Sequence, residues 1–260
     1  MSGHDRAERI SHLRRAVEAL EQERPRAGRL ALTRGLDRRL GGGLSLDGLH
    51  EIAPASPLDV PAAFGFAMSL AARFMAASDA NALLAVEEFA LSQNGWPFGP
   101  GLAAHGLDLS RVVFVRAPDA NALFQTLEDS LKSGALAVVV GELWRLAKYD
   151  LAVSRRLVLA ARAGATPALL TLPPAQNLST AAETRFEIAA APSPHEPSAG
   201  GARPLPGAPA FAARVVKARG MGGDPTLTIR LVWRSEERTF DEPAVSIPVA
   251  PASADRSRAS

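Results

Sequence analysis

Apolar and polar positions follow two periods along this chain, and the switches between them lay out a repeating order of strands and helices. Residues 82–87, 111–116, 134–140 and 167–172 are short, nearly unbroken apolar runs bounded by charge, Gly or Pro. Runs of that length predict strands buried on both faces, as in parallel sheets. Residues 62–77, 119–133 and 150–164 instead carry apolar side chains at helical spacing, and Asp119 sits where an N-cap is expected. A strand at 48–52 precedes the first of these helices, residues 92–106 read as a loop, and a strand at 182–189 follows the last parallel run. Residues 36–44 read as a short helix and a glycine turn. Residues 211–218 and 227–232 read as a hairpin around the turn 219–225. This order predicts an α/β fold with a mostly parallel central sheet, helices on both faces and a C-terminal β-hairpin.

The ends differ from this core. Ile10, Leu13, Val17 and Leu20 fall on one face of a predicted helix over 5–24, which Pro25 and Gly28 end. The expected organisation is an N-terminal amphipathic helix and linker (1–28), an α/β domain (29–242) and a disordered tail (243–260). Inside that domain, residues 190–210 form an Ala/Pro/Ser/Gly-rich loop. Composition narrows the chemistry further. The 260 residues include no cysteine, which removes cysteine-ligated zinc and disulfides. Histidines 4, 12, 50, 105 and 195 lack metal-site spacing, so no metal is expected. Residues 1–40 carry a net charge of +4 and residues 203–238 another +4, whereas 41–202 carry −5. Basic charge at both ends reads as two solvated faces or, alternatively, as contact with an acidic partner or nucleic acid. No run of about 18 apolar residues and no signal-peptide pattern is found, so a cytoplasmic protein without a membrane span is expected.

The most informative stretch is the strand-to-helix junction from Gly48 to Phe64. In a P-loop, glycines let backbone N–H groups approach phosphates, a lysine reaches the outer phosphates and a hydroxyl holds Mg²⁺. Here Pro57, Leu58, Asp59 and Val60 fill the turn. Pro54, Pro57 and Pro61 each remove an N–H, and the Asp59 charge repels phosphate. The junction has the place for nucleotide chemistry and lacks its parts, so no cofactor is expected.

The chain resembles the RecA-like ATPase core from about residue 35 to 240, and within that superfamily the ImuA family. The residues that carry the resemblance are Gly42-Gly43-Leu44, Gly48-Leu49-His50-Glu51-Ile52, Leu84-Ala85-Val86-Glu87-Glu88, Val138-Val139-Val140-Gly141-Glu142 and Arg214-Val215-Val216-Lys217-Ala218-Arg219-Gly220. The resemblance implies a catalytic glutamate after the second core strand, a position that Glu88 fills as a vestige. It implies a metal-binding aspartate at the end of the strand 136–140, where Gly141 stands, with Glu142 next to it. The polar nucleotide-sensing end of strand 167–172 is replaced by Pro173-Pro174. A carboxylate without a phosphate cradle has nothing to activate water against, so the expectation is a pseudo-ATPase and not an enzyme.

The family implies a role in the SOS response to DNA damage, in mutagenic translesion synthesis. It implies an adaptor that joins an ImuB-like polymerase-related protein to an error-prone C-family DNA polymerase subunit, with RecA as a further partner of the N-terminal helix. The segment 176–183 offers no basic or aromatic group for single-stranded DNA, so DNA contact is expected to be indirect or weak. Leu13 and Val17 on the helix, and Arg214, Lys217, Arg219 and Trp233 on the hairpin, are the candidate partner contacts. A cell-division inhibitor similar to SulA, of the same fold, is the alternative. An atypical ATPase using Glu88 and Glu142 is a weaker one.

Overall fold

The computed structural model describes residues 28–174, 178–196, 205–218 and 227–243. The predicted helix 5–24 with Leu13 and Val17, the turn residue Arg219 and the tail beyond 243 lie outside the described residues. Nine strands form one sheet. They are β3 (Leu49–Pro54), β4 (Asn81–Glu87), β5 (Val112–Ala117), β6 (Leu136–Glu142), β7 (Ala168–Thr171), β8 (Thr184–Ala190), β11 (Ala210–Ala218), β12 (Thr228–Arg234) and β13 (Thr239–Asp241). Their order is β13-β12-β11-β8-β3-β7-β6-β4-β5. The six from β8 to β5 are parallel, and β11, β12 and β13 add antiparallel at the β8 side. Two small pairs lie apart: β1 (Arg29–Leu30) with β2 (Leu44–Ser45), and β9 (His195–Glu196) with β10 (Leu205–Pro206).

The helices divide between the two faces. On one lie α1 (Arg34–Leu40), α2 (Val60–Ala76) and α3 (Glu88–Asn94), against Ile52, Leu84, Val140, Phe186 and Phe211 of the sheet. A fourth, short helix, α4 (Gly99–Ala104), follows α3. On the other face α5 (Ala120–Ser133) and α6 (Leu151–Gly164) cover Leu49, Ala85, Val139 and Leu170. Alternate residues of each strand therefore feed opposite cores, as the two-residue strand period requires. Helix α2 is apolar enough in length and composition to match a membrane span, yet 56% of that window is buried inside the domain. It is hydrophobic on most sides because it packs as a core helix.

Local chemistry fixes the ends of these elements. Asp119 accepts the Ala122 N–H at 2.9 Å and Asp150 accepts the Val153 N–H at 2.8 Å, each opening a helix. Helices α5 and α6 approach so closely at Gly164 that an added Cβ would stand 1.8 Å from the Leu131 carbonyl oxygen, so only glycine fits. Glu242, just after β13, accepts the Gly35 N–H at 2.9 Å and the Leu36 N–H at 3.2 Å, tying the last strand to the first turn of α1.

The structure departs from the sequence reading at several elements. The predicted loop 92–106 contains the end of α3 and all of α4. Strand β6 runs through Gly141 and Glu142 instead of ending at Val140. The expected terminal hairpin gains a third strand, β13, and its strand β11 lies inside the sheet, between β8 and β12.

A buried ionic cluster ties the central strands together. Glu51 of β3 is fully buried, and Arg185 of β8 donates Nε to its Oε2 at 2.6 Å. Tyr149 donates its hydroxyl to the other carboxylate oxygen. The arginine also donates to the Leu178 carbonyl at 2.7 Å and to Thr180 Oγ1 at 3.0 Å. Burial, and then the Glu51 charge beside it, push the Tyr149 hydroxyl well above its ordinary value. Breaking such a pair leaves an uncompensated charge in the core. Arg185→Met is expected to cost about 3–5 kcal/mol in urea unfolding, and Glu51→Leu added to it to restore much of the loss. A loss below about 1 kcal/mol would remove the cluster from this role.

His50 is a second buried polar group. Its Nε2 donates to the Ser45 carbonyl at 2.9 Å, and its Nδ1 lies 2.8 Å from Thr184 Oγ1. Burial lowers its affinity for a proton below the ordinary value, and burial does the same to His105. The unfolded chain therefore binds protons that the folded chain refuses. Stability is fully present above about pH 6.5 and falls as pH drops below it, by up to about 1.4 kcal/mol per pH unit per histidine. His50→Gln is expected to flatten the decline in urea midpoint between pH 7.5 and 5.5. An unchanged slope would show that His50 is not the titrating group.

Candidate functional site

The strand-to-helix junction lies at the carboxyl ends of the parallel strands, where α/β sheets hold their ligands. Strand β3 ends at Pro54, a single turn of 3₁₀ helix spans Pro57–Asp59, and α2 starts at Val60. Beside this turn lies a cleft of about 280 Å³. Pro57, Val60, Ala63 and Phe64 form its β3–α2 wall, Glu142, Leu143 and Trp144 come from the end of β6, and Thr171 to Pro174 come from β7.

Asp59 does not point a free charge into this space. Its Oδ2 accepts from Ser56 Oγ at 2.7 Å and its Oδ1 accepts the Ala190 N–H at 2.8 Å. The Ser56 hydroxyl, followed by the Ala190 amide, holds its carboxyl below the usual range. Ala55 adds an N–H donated to the Ile188 carbonyl at 2.8 Å. The junction is thus clamped to the end of β8 by the Asp59 carboxylate and the Ala55 N–H.

Three carboxylates from the sequence reading occupy different places. Glu88 opens α3, is about half exposed and pairs with Arg116 at 3.4 Å, so the vestigial catalytic position does not line the cleft. Glu87 is buried and accepts the Trp144 backbone N–H at 2.9 Å, a structural contact. Glu142 lines the cleft. It is 9% exposed, it accepts from Asn94 Nδ2 at 3.1 Å, and burial raises its carboxyl above the ordinary value.

Strand period explains why Glu142 and not position 141 faces this space. A Cβ at Gly141 would meet Leu127 at 2.7 Å and Leu170 at 3.0 Å, on the α5 face. Position 141, where the resemblance places a metal-binding aspartate, therefore faces α5 and not the cleft. The two-residue alternation of 138–142 carried that signal in the sequence. Trp144 lines the cleft as well, 6.1 Å from the Phe89 ring, whose face Arg145 covers at 4.1 Å.

The candidate partner contacts are likewise redistributed. Trp233 is fully buried, donates Nε1 to the His105 carbonyl at 3.1 Å and packs 4.7 Å from Phe240. It is a core residue and is withdrawn as a surface contact. Arg214 is held by Glu187 at 2.6 Å, and Lys217 donates to the Thr180 carbonyl, because β11 is an interior strand with neighbours on both sides. Of the expected basic hairpin residues, Arg214 is ion-paired within the sheet and Lys217 is held by a carbonyl. Sequence reasoning missed the Glu51–Arg185–Tyr149 cluster. Its signal was Glu51 as the single charge of the apolar strand β3 and Arg185 at the start of β8.

A nine-stranded, mostly parallel sheet with helices on both faces and a ligand cleft at its carboxyl end defines an α/β protein consistent with a RecA-like core. No family model matches the chain. Protein ImuA of Caulobacter vibrioides, from strain NA1000 / CB15N and from strain ATCC 19089 / CIP 103742 / CB 15, is 30% identical to it over 174 residues. The match covers 59% of this chain and 64% of the length of those curated relatives. Over that stretch the chain is similar to these ImuA proteins, and it spans less than two thirds of their length.

Glu142 gives the cleft a measurable signature. Its folded-state proton affinity is raised, so its contribution to stability is fully present below its unfolded value of about 4.3 and is lost as pH rises through the folded value. Glu142→Gln keeps the acceptor for Asn94 without the ionisation. It is expected to raise stability by up to about 1 kcal/mol at pH 7.5 and to leave it unchanged near pH 4. A variant less stable at pH 7.5 would mean that the charge of Glu142 is held by a favourable partner.

Proposed function

We propose that this chain is a non-catalytic, RecA-like adaptor acting in the cytoplasm in DNA damage-induced mutagenesis. In this reading it scaffolds an ImuB-like polymerase-related protein and an error-prone polymerase subunit during translesion synthesis. The pathway and these partners come from the family resemblance. The molecule's own support is the junction between β3 and α2. Prolines stand at 54, 57 and 61, and Asp59 is bonded to Ser56 and Ala190. The cleft beside them is walled by apolar side chains around a buried, weakly acidic Glu142.

Phosphoryl transfer requires positioned charge around the transferred group and the metal that accompanies it. A triphosphate entering this cleft meets no lysine and no run of free amides at the start of α2. It meets one carboxyl group and two adjacent prolines, 173 and 174. Such a cavity disfavours an anion and suits an apolar or hydrogen-bond-donating group. Titration calorimetry with millimolar Mg-ATP is expected to give no binding heat. Saturable binding, with turnover that Glu142→Gln abolishes, would overturn the non-catalytic reading and favour an atypical ATPase.

A further inference from the structure

The polar groups along the cleft beside the β3–α2 junction are mostly acceptors. Glu142 lines it at 9% exposure, and Asn94 donates to its Oε1 at 3.1 Å. Among the described residues, its Oε2 has no donor. Thr171 lines the cleft too, and its hydroxyl proton goes to the Gly141 carbonyl at 3.3 Å, which leaves the oxygen an acceptor. The neighbouring amides are already committed. Leu143 N–H goes to the Thr171 carbonyl at 3.1 Å, Leu172 N–H to the Ile52 carbonyl at 2.9 Å and Trp144 N–H to Glu87 at 2.9 Å. Pro173 and Pro174 have no N–H to give. The Trp144 indole N–H is the exception, and among the described residues that line the cleft none is basic.

An ionised carboxylate in such a wall lacks compensation, and burial accordingly makes Glu142 hold its proton more tightly. A cation that enters supplies the missing donor and the missing charge together, and the apolar surroundings strengthen both effects relative to water. The aromatic residues Phe64 and Trp144 on the walls attract a cation that reaches their ring faces. The volume of about 280 Å³ sets the size of the visitor: a small body and not a nucleotide.

We propose that this cleft is a binding site for an organic cation, an amidinium, guanidinium or ammonium group on a small apolar body, with Glu142 as its counter-ion and Thr171 as a second acceptor. The proposal rests on the reading of this cleft as closed to phosphate and gives it the opposite charge preference. Two carriers present the same chemistry, a free amine or guanidine and an arginine or lysine side chain of a bound protein. Leu58 separates them. It stands 91% exposed on the turn that borders the cleft. A chain that continues out of the cleft meets it, and a molecule confined to the cleft does not.

Titration calorimetry of the full chain with benzamidine, and with benzamide as its uncharged counterpart, tests the site. Benzamidine is expected to bind saturably and at least tenfold more tightly than benzamide. Glu142→Gln is expected to erase that preference without lowering the urea midpoint, so the loss reads the charge and not the fold. The capped peptide acetyl-Leu-Arg-Leu-amide identifies the carrier. Binding tighter than that of benzamidine, and weakened by Leu58→Ser, assigns the cation to a protein side chain. Binding weaker than that of benzamidine, which Leu58→Ser leaves unchanged, assigns it to a free molecule. Benzamidine that gives no saturable binding, binds no better than benzamide or binds the Glu142→Gln chain equally well overturns the proposal. Saturable binding of Mg-ATP undoes the reading of the cleft as closed to phosphate, so the ligand that binds tells the two failures apart.

Discussion

Glu51 carries a carboxylate into the middle of the sheet, and much of the domain is arranged to hold it there. Its two oxygens are taken by Arg185 from β8 and by Tyr149 from the segment between β6 and α6. One partner comes from the strand beside β3 and the other from the segment that leads into α6. Arg185 then reaches the Leu178 carbonyl and Thr180, which fixes the approach to β8. A buried pair of this kind contributes less net stability than apolar residues of the same shape would. What it imposes is register: β3 and β8 can slide only by abandoning a buried charge. The β3–α2 junction, placed by β3, inherits that constraint.

The junction shows how one position in a fold can change its chemistry without changing its shape. The strand, the turn and the following helix stand where an anion-binding turn would stand. Asp59 and the amides of Ala55 and Ala190 are spent on closing the turn against β8. The cleft that remains is apolar around one carboxyl whose proton is held more tightly than usual. Its neighbours Trp144, Phe89 and Arg145 form a packed rim.

Charge follows the same logic. Two basic positions near the C-terminus are ion-paired, Arg214 with Glu187 and Arg234 with Asp241 at the β13 edge. Among the described residues, exposed large apolar side chains include Val113 and Phe114 of β5 and Trp96 and Phe98 in the preceding segment.

The sequence by itself determined the α/β class, the parallel strands and the N-cap of α5. Each of these depends on neighbouring residues: hydrophobic period and a capping side chain. Helices α3 and α4 were illegible, because Gly95, Pro97 and Gly99 punctuate that region and its apolar side chains face outward instead of marking a helical core stripe. Only the tertiary structure decided which carboxylate faces the cleft, that Trp233 is core, and that Arg185 finds Glu51 across 134 residues of chain. Those outcomes depend on strand order and on which face of the sheet each side chain enters. Residues distant along the chain settle such matters together, and no local pattern records them.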